Sequence, residues 1–191
     1  IFFLLFFLNW FGIFIFGCAP TNTAQNDKSR GLSKQELDER NSECTLYNSF
    51  AAGNMQNRDY TSAVDNYKYM IDIGCSDCKC LGSKGEDAEY IYPYFGRSYI
   101  EIEKLDSAIY VFKQGLKYLE DDETLLENAQ WTAGKLGDLE QQIYYLDMWL
   151  ALDESNLKVL NKFGEVYKNN NMFNEQVDIL NMILKINPGD K

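Results

Sequence analysis

The sequence predicts an all-α array of about four stacked helix-turn-helix units, preceded by an apolar leader and a polar linker. Three observations predict it. The chain is self-similar at a period of 34 residues over most of its length. Within each period, apolar residues recur at helical spacing on both sides of a short polar break, which makes each unit two helices and a turn. The last three periods abut without a gap, so each hairpin can bury its apolar stripe only against its neighbour.

The chain opens on "IFFLLFFLNWFGIFIFG", residues 1–17, in which Asn9 is the only strongly polar side chain. Such a run is a signal h-region or a membrane anchor, since a spanning helix needs about 20 apolar residues. It stops at Gly17-Cys18 and gives way to "APTNTAQNDKSRG", a polar stretch with nothing to pack. A branched Ile15, a small Gly17 and then Cys18 resemble a bacterial lipoprotein signal. The resemblance implies cleavage before Cys18, lipid on that cysteine, and residence on the periplasmic side of the cell envelope. Ala19 is not the aspartate that retains some lipoproteins in the inner membrane, which favours the outer one. Segments 1–18 and 19–43 are thus expected to be signal or anchor, then tether with a short capping piece.

The periods are residues 44–77, 89–122, 123–156 and 157–190. Position 4 reads Tyr47, Tyr92, Leu126, Leu160, and position 7 reads Phe50, Phe95, Ala129, Phe163. Position 8 is Ala51, Gly96, Gln130, Gly164; position 20 is Ala63, Ala108, Gln142, Gln176; and position 24 is Tyr67, Phe112, Leu146, Leu180. These columns resemble the tetratricopeptide repeat (TPR), whose positions 4, 7, 8, 11, 20, 24 and 27 form the contacts within a hairpin and to the next one. The resemblance implies a TPR-like α-solenoid. Small residues at position 8 allow close approach of the paired helices. In the third repeat Trp149 stands at position 27, where a small residue is usual, and Ala133 with Gly134 is expected to vacate the compensating space. Pro93 is expected near the start of its helix, with at least one of Tyr90, Tyr92 and Tyr94 exposed. Pro188 sits where one repeat turns into the next, so Val177, Leu180 and Ile183 are expected to lack a partner and further chain is expected to follow.

Cysteines cluster in "GCSDCKCLGSKGED", residues 74–87, at the one interruption of the array, the insertion 78–88. Cys44 and Cys75 occupy positions 1 and 32, which lie side by side in an antiparallel hairpin, so a disulfide is expected there. Cys78 and Cys80 are then free to bond each other or a partner. With Cys18 lipidated, four cysteines remain, an even number suited to an oxidising compartment. A zinc site or redox centre at Cys75, Cys78 and Cys80 is the alternative. Zinc prefers a wider pair than Cys78-x-Cys80, and redox C-x-x-C motifs open helices rather than close them.

Composition excludes other classes. The chain has no histidine, which removes Ser-His-Asp hydrolysis and imidazole metal sites. A formal net charge of -11 argues against a nucleic-acid partner. Residues 120–154 hold ten acidic side chains and one basic; those of 120–123 suit a helix start.

In the TPR family the inner groove is lined by first-helix positions 2, 5, 9, 12 and 13. The resemblance therefore implies a partner-binding groove made of Asn48, Met55, Gln56, Tyr90, Arg97, Glu101, Glu127, Trp131, Lys135, Lys158, Asn161, Glu165 and Lys168. Trp131 and Arg97 are residue types enriched at binding hot spots. The family's carboxylate clamp is not reproduced. The expected function is a non-catalytic scaffold for a protein or peptide, tethered to the envelope, with no cofactor, metal, nucleic acid or small-molecule substrate. The tethering part of a larger multidomain protein is a further alternative.

Overall fold

A computed structural model describes residues 31–75 and 88–189, the side chains of 88–90 excepted. Among these residues the secondary structure is eight α-helices and no strand: α1 (Lys34–Gln56), α2 (Tyr60–Asp72), α3 (Ala88–Glu101), α4 (Leu105–Gly115), α5 (Glu123–Leu136), α6 (Leu139–Leu150), α7 (Leu157–Asn169) and α8 (Phe173–Ile186). They pair as antiparallel hairpins, and each hairpin packs on the next through α2 on α3, α4 on α5 and α6 on α7. The first helices α3 and α5 also touch, whereas the second helices make no comparable contact with one another. Around the second and third hairpins the first helices α3 and α5 therefore form the crowded inner face, and the second helices are splayed on the outer one.

The turn inside each hairpin repeats in atomic detail. Residues Arg58, Glu103, Gly137 and Asn171 all take the left-handed conformation, with φ of 60°, 59°, 76° and 59°. All four occupy position 15 of their period. The amide one residue later bonds back five residues in every case: Asp59 to Asn54, Lys104 to Tyr99, Asp138 to Ala133 and Met172 to Tyr167, at 2.8 to 3.0 Å. This is the six-to-one bond of a Schellman helix end, which closes the orphan carbonyls of the first helix. The same residue then opens the second helix. Asp59 and Asp138 cap it with their carboxylates, on Ser62 and Gln141, while Lys104 and Met172 provide no side-chain cap.

The left-handed turn favours glycine, yet only the third repeat has one. Glu103→Gly is expected to raise the unfolding free energy by about 0.5–1 kcal/mol, and Gly137→Ala to lower it by about 1 kcal/mol. Urea unfolding followed by circular dichroism checks both signs.

The helix starts differ from expectation at one end. α1 begins at Lys34, ten residues ahead of the first period, with Ser33 and Glu36 forming a reciprocal capping box. Residues 34–43 are thus part of the first hairpin's long arm rather than tether. Pro93 lies at the sixth residue of α3, not at its start. Tyr92 beside it is buried and Tyr94 is exposed.

Position 8 works as close packing requires. A Cβ on Gly96 would collide with the Phe112 ring at position 24. Gln130, at the same position in the third repeat, is nearly as buried, at 4% exposure. Trp149 is fully buried, but its space does not come from Ala133 and Gly134. The gap over Gly134 is filled by the Gln142 amide, whose nitrogen would lie 2.6 Å from an added Cβ. The helices run antiparallel, so position 27 faces the start of the first helix and not its end. In the second repeat Gly115 at position 27 stands against Tyr92 at position 4. One period on, the same two positions hold Trp149 and Leu126, so the larger side chain stands on the second helix and the smaller on the first.

Two apolar faces have no cover among the described residues. Phe50 is 50% exposed and Leu46 49%, although Phe95 and Phe163 at the matching position are 6% and 2% exposed. Phe50 differs because no second helix precedes α1 among the described residues. On α8, Phe173, Val177, Leu180 and Leu184 are exposed along one stripe. Ile183 is not: it is 8% exposed.

Candidate functional site

The inner face is built from α3, α5 and α7. Arg97 and Glu101, one turn apart on α3, approach at 4.0 Å and are both solvent-accessible. On α5 the residues Glu127, Trp131 and Lys135 rise in a column at i, i+4 and i+8. Trp131 is 41% exposed, so it does not pack away against the second repeat. The Lys135 ammonium sits 5.2 Å from its ring centroid, within cation–π range. Across the repeat boundary, Lys158 and Lys162 of α7 reach Glu127 at 2.6 and 3.3 Å. Lys158 also lies 4.8 Å from the Trp149 ring centroid. That indole donates its Nε1–H to Glu123 at 3.1 Å.

Burial works against ionisation of Glu127, but hydrogen bonds from Lys158 and Lys162 outweigh it and hold the carboxyl below the usual glutamate range. A depressed pKa means the pair adds stability above the unfolded-state value and loses it as pH falls through the folded one. Wild type is therefore expected to exceed Glu127→Gln in melting temperature at neutral pH, with the gap closing in acid.

Met55 is half-buried and its sulfur accepts a hydrogen bond from Ser98 at 2.9 Å. Asn48 is half-buried on α1, Gln56 is exposed at its end, and Asn161, Glu165 and Lys168 are exposed on α7. The side chain of Tyr90 lies outside the described residues. Position 6 was missing from the expected set, yet it carries Lys162, which grips Glu127, and Tyr94, which is 46% exposed. The signal was available: position 6 lies about one turn from positions 2 and 9, on the same helical face.

Cys44 and Cys75 are joined by a disulfide with their Cα atoms 5.7 Å apart. The bond ties the middle of α1 to the end of α2, at 2% and 6% exposure. Cys75 is thereby unavailable to a metal or redox centre with Cys78 and Cys80, which lie outside the described residues, as do Cys18, the leader and most of the insertion. Among the described residues no cluster of three metal-ligating side chains occurs, and no helix is long and apolar enough to cross a membrane.

Hairpins in constant register, with first helices presenting one polar and aromatic face, define a helical-repeat fold of the TPR type. Solved structures share it. A tetratricopeptide repeat protein from Parabacteroides merdae superposes with a TM-score of 0.63 at 16% identity, covering 78% of this chain and 55% of that one. MamA gives 0.62 at 16% identity over 78% and 75% of the two chains. YrrB, described as a TPR protein with an unusual peptide-binding site, gives 0.59 at 14% identity over 81% and 73%. The chain thus spans about half the length of the Parabacteroides protein. At these identities the likeness establishes the fold. No protein-family model matches the chain, and no curated protein is similar enough to match.

Proposed function

We propose that the protein is a non-catalytic scaffold that holds a protein or peptide partner on its inner face and is tethered to the bacterial cell envelope by its N-terminal segment. The observation that carries the binding role is Trp131. It is a large aromatic left 41% exposed in the centre of the inner face, flanked by Lys135, on helices fixed to each other by the Glu127 ion pairs. A rigid aromatic beside cations is a suitable anchor for an extended segment, because little side-chain freedom is lost on binding. The peptide-binding site described for YrrB, on the same fold, supports the reading by analogy.

Two features support the envelope address. The apolar run ending in Gly17-Cys18 resembles a lipoprotein signal, and a buried disulfide suits an exported domain. Lipid on Cys18 and an outer-membrane location are part of the proposal.

The test is cross-linking and recovery from solubilised envelopes with wild-type protein and an Arg97→Ala/Trp131→Ala variant. Both side chains are exposed, so the variant should keep its melting temperature. The reading requires a defined partner that the variant loses by about tenfold or more. Equal recovery by both proteins would dismiss the inner face. Cys18→Ser should release the protein from the membrane fraction.

A further inference from the structure

The outer face carries a second feature, independent of the groove. Between α4 and α6 a cavity of about 500 Å³ opens, lined by Lys113, Leu116, Lys117, Tyr144, Tyr145 and Met148, with Glu120 at its edge. Its floor is apolar: Leu116 and Tyr145 are 7% and 3% exposed. Its wall is Tyr144, 56% exposed, set edge-on to Tyr145 at 5.4 Å between ring centroids. Its rim holds Lys113 and Lys117, neither of which makes an ion pair among the described residues; the Lys117 ammonium donates to the side-chain amide oxygen of Gln114 at 2.8 Å.

One period earlier the feature recurs. Tyr110, 63% exposed, walls a cavity of about 660 Å³ between α2 and α4, with Lys68 at its rim beside Asp72 and Asp106. Tyr110 and Tyr144 share position 22, where the first and fourth repeats have Asp65 and Asp178. Aspartate serves the fold at this position, so the fold does not require tyrosine there. Two large aromatics exposed in register, each over a cavity, point to a ligand. Charge selects between the two cavities. The chain is strongly acidic, yet at the α4–α6 cavity lysines outnumber acids two to one, while at the α2–α4 cavity acids prevail.

We propose that the cavity between α4 and α6 docks an acidic segment of a partner protein, seating an apolar side chain between Tyr144 and Met148 and placing carboxylates on Lys113 and Lys117. The bond set is a pair of charge-assisted contacts around a desolvated anchor. The protein would then hold two partners, or two parts of one, on opposite faces.

The experiment is fluorescence anisotropy of the whole chain with a labelled peptide, EDEFLEDE, against its charge-reversed form KRKFLKRK and a thymidine oligonucleotide. Saturable binding of the acidic peptide is expected, weakened about tenfold or more by Lys113→Glu/Lys117→Glu and by Tyr144→Ala, and unchanged by Arg97→Ala/Trp131→Ala. All these side chains are exposed, and melting curves confirm that the variants are folded. Absence of binding overturns the proposal, as does equal binding of the basic peptide or of the oligonucleotide. So does loss in the Arg97/Trp131 variant with no loss in the cavity variants, an outcome that would leave the inner-face reading standing.

Discussion

Trp149→Ala is expected to lower the unfolding free energy by about 3–5 kcal/mol, the range for truncating a fully buried tryptophan. Three losses combine. The largest buried side chain of the array disappears from the boundary between the third and fourth hairpins. Glu123 loses the indole N–H at 3.1 Å, and Lys158 loses the ring that it covers at 4.8 Å. Lys158 also holds Glu127, so the damage should extend to the inner face. Trp149→Phe, which keeps most of the apolar volume and loses the hydrogen bond, should cost much less. Chemical denaturation of the three proteins measures the difference. A loss below about 1 kcal/mol for the alanine variant would mean that the third hairpin is not packed as described.

Removing the disulfide is the second large effect. Cys44 and Cys75 are separated by 31 positions, and closing a loop of that length is worth about 3–4 kcal/mol by chain entropy. Cys44→Ala/Cys75→Ala, or reduction, should therefore destabilise the protein by about that amount. The loss should also be local. In an array whose units touch only their neighbours, weakening one hairpin first frays that hairpin. Hydrogen exchange should rise in α1 and α2, while α5 to α8 retain their protection. Uniform loss of protection would show instead that the array unfolds as one block.

The fold was legible because a period of 34 forces every hairpin into the same register. Position 15 turns left-handed four times on four different residues, Arg58, Glu103, Gly137 and Asn171, so the register and not the local sequence dictates that turn. Cys44 meets Cys75 for the same reason: positions 1 and 32 adjoin in any such hairpin. Failures of the sequence reading came where a residue's neighbours depend on which elements flank it. Phe50 sits in a core column, but among the described residues no second helix precedes α1 to cover it. Gly134 and Trp149 are both unusual letters in one repeat, and linear proximity invited pairing them. The antiparallel path puts them at opposite ends of the hairpin, and Gln142 takes the space over Gly134. The start of α1 was missed because residues 34–43 look polar, and only the Ser33–Glu36 capping box announces a helix there.

The inner face was legible in part. Trp131, Arg97 and Glu101 are solvent-accessible on α3 and α5, and Lys162 and Tyr94 join them from position 6, a column that the sequence did not single out. The outer cavity was not legible at all. Tyr110 and Tyr144 read simply as helical tyrosines until second helices are splayed apart.

The central claim, that equal hairpins lean on one another through one repeated geometry, is tested most directly by a crystal structure of residues 31–189. The rigid-body step carrying α3–α4 onto α5–α6 should also carry α5–α6 onto α7–α8, with left-handed residues recurring at 103, 137 and 171. Steps that differ in axis or sense, or a strand in place of any of these helices, would contradict it.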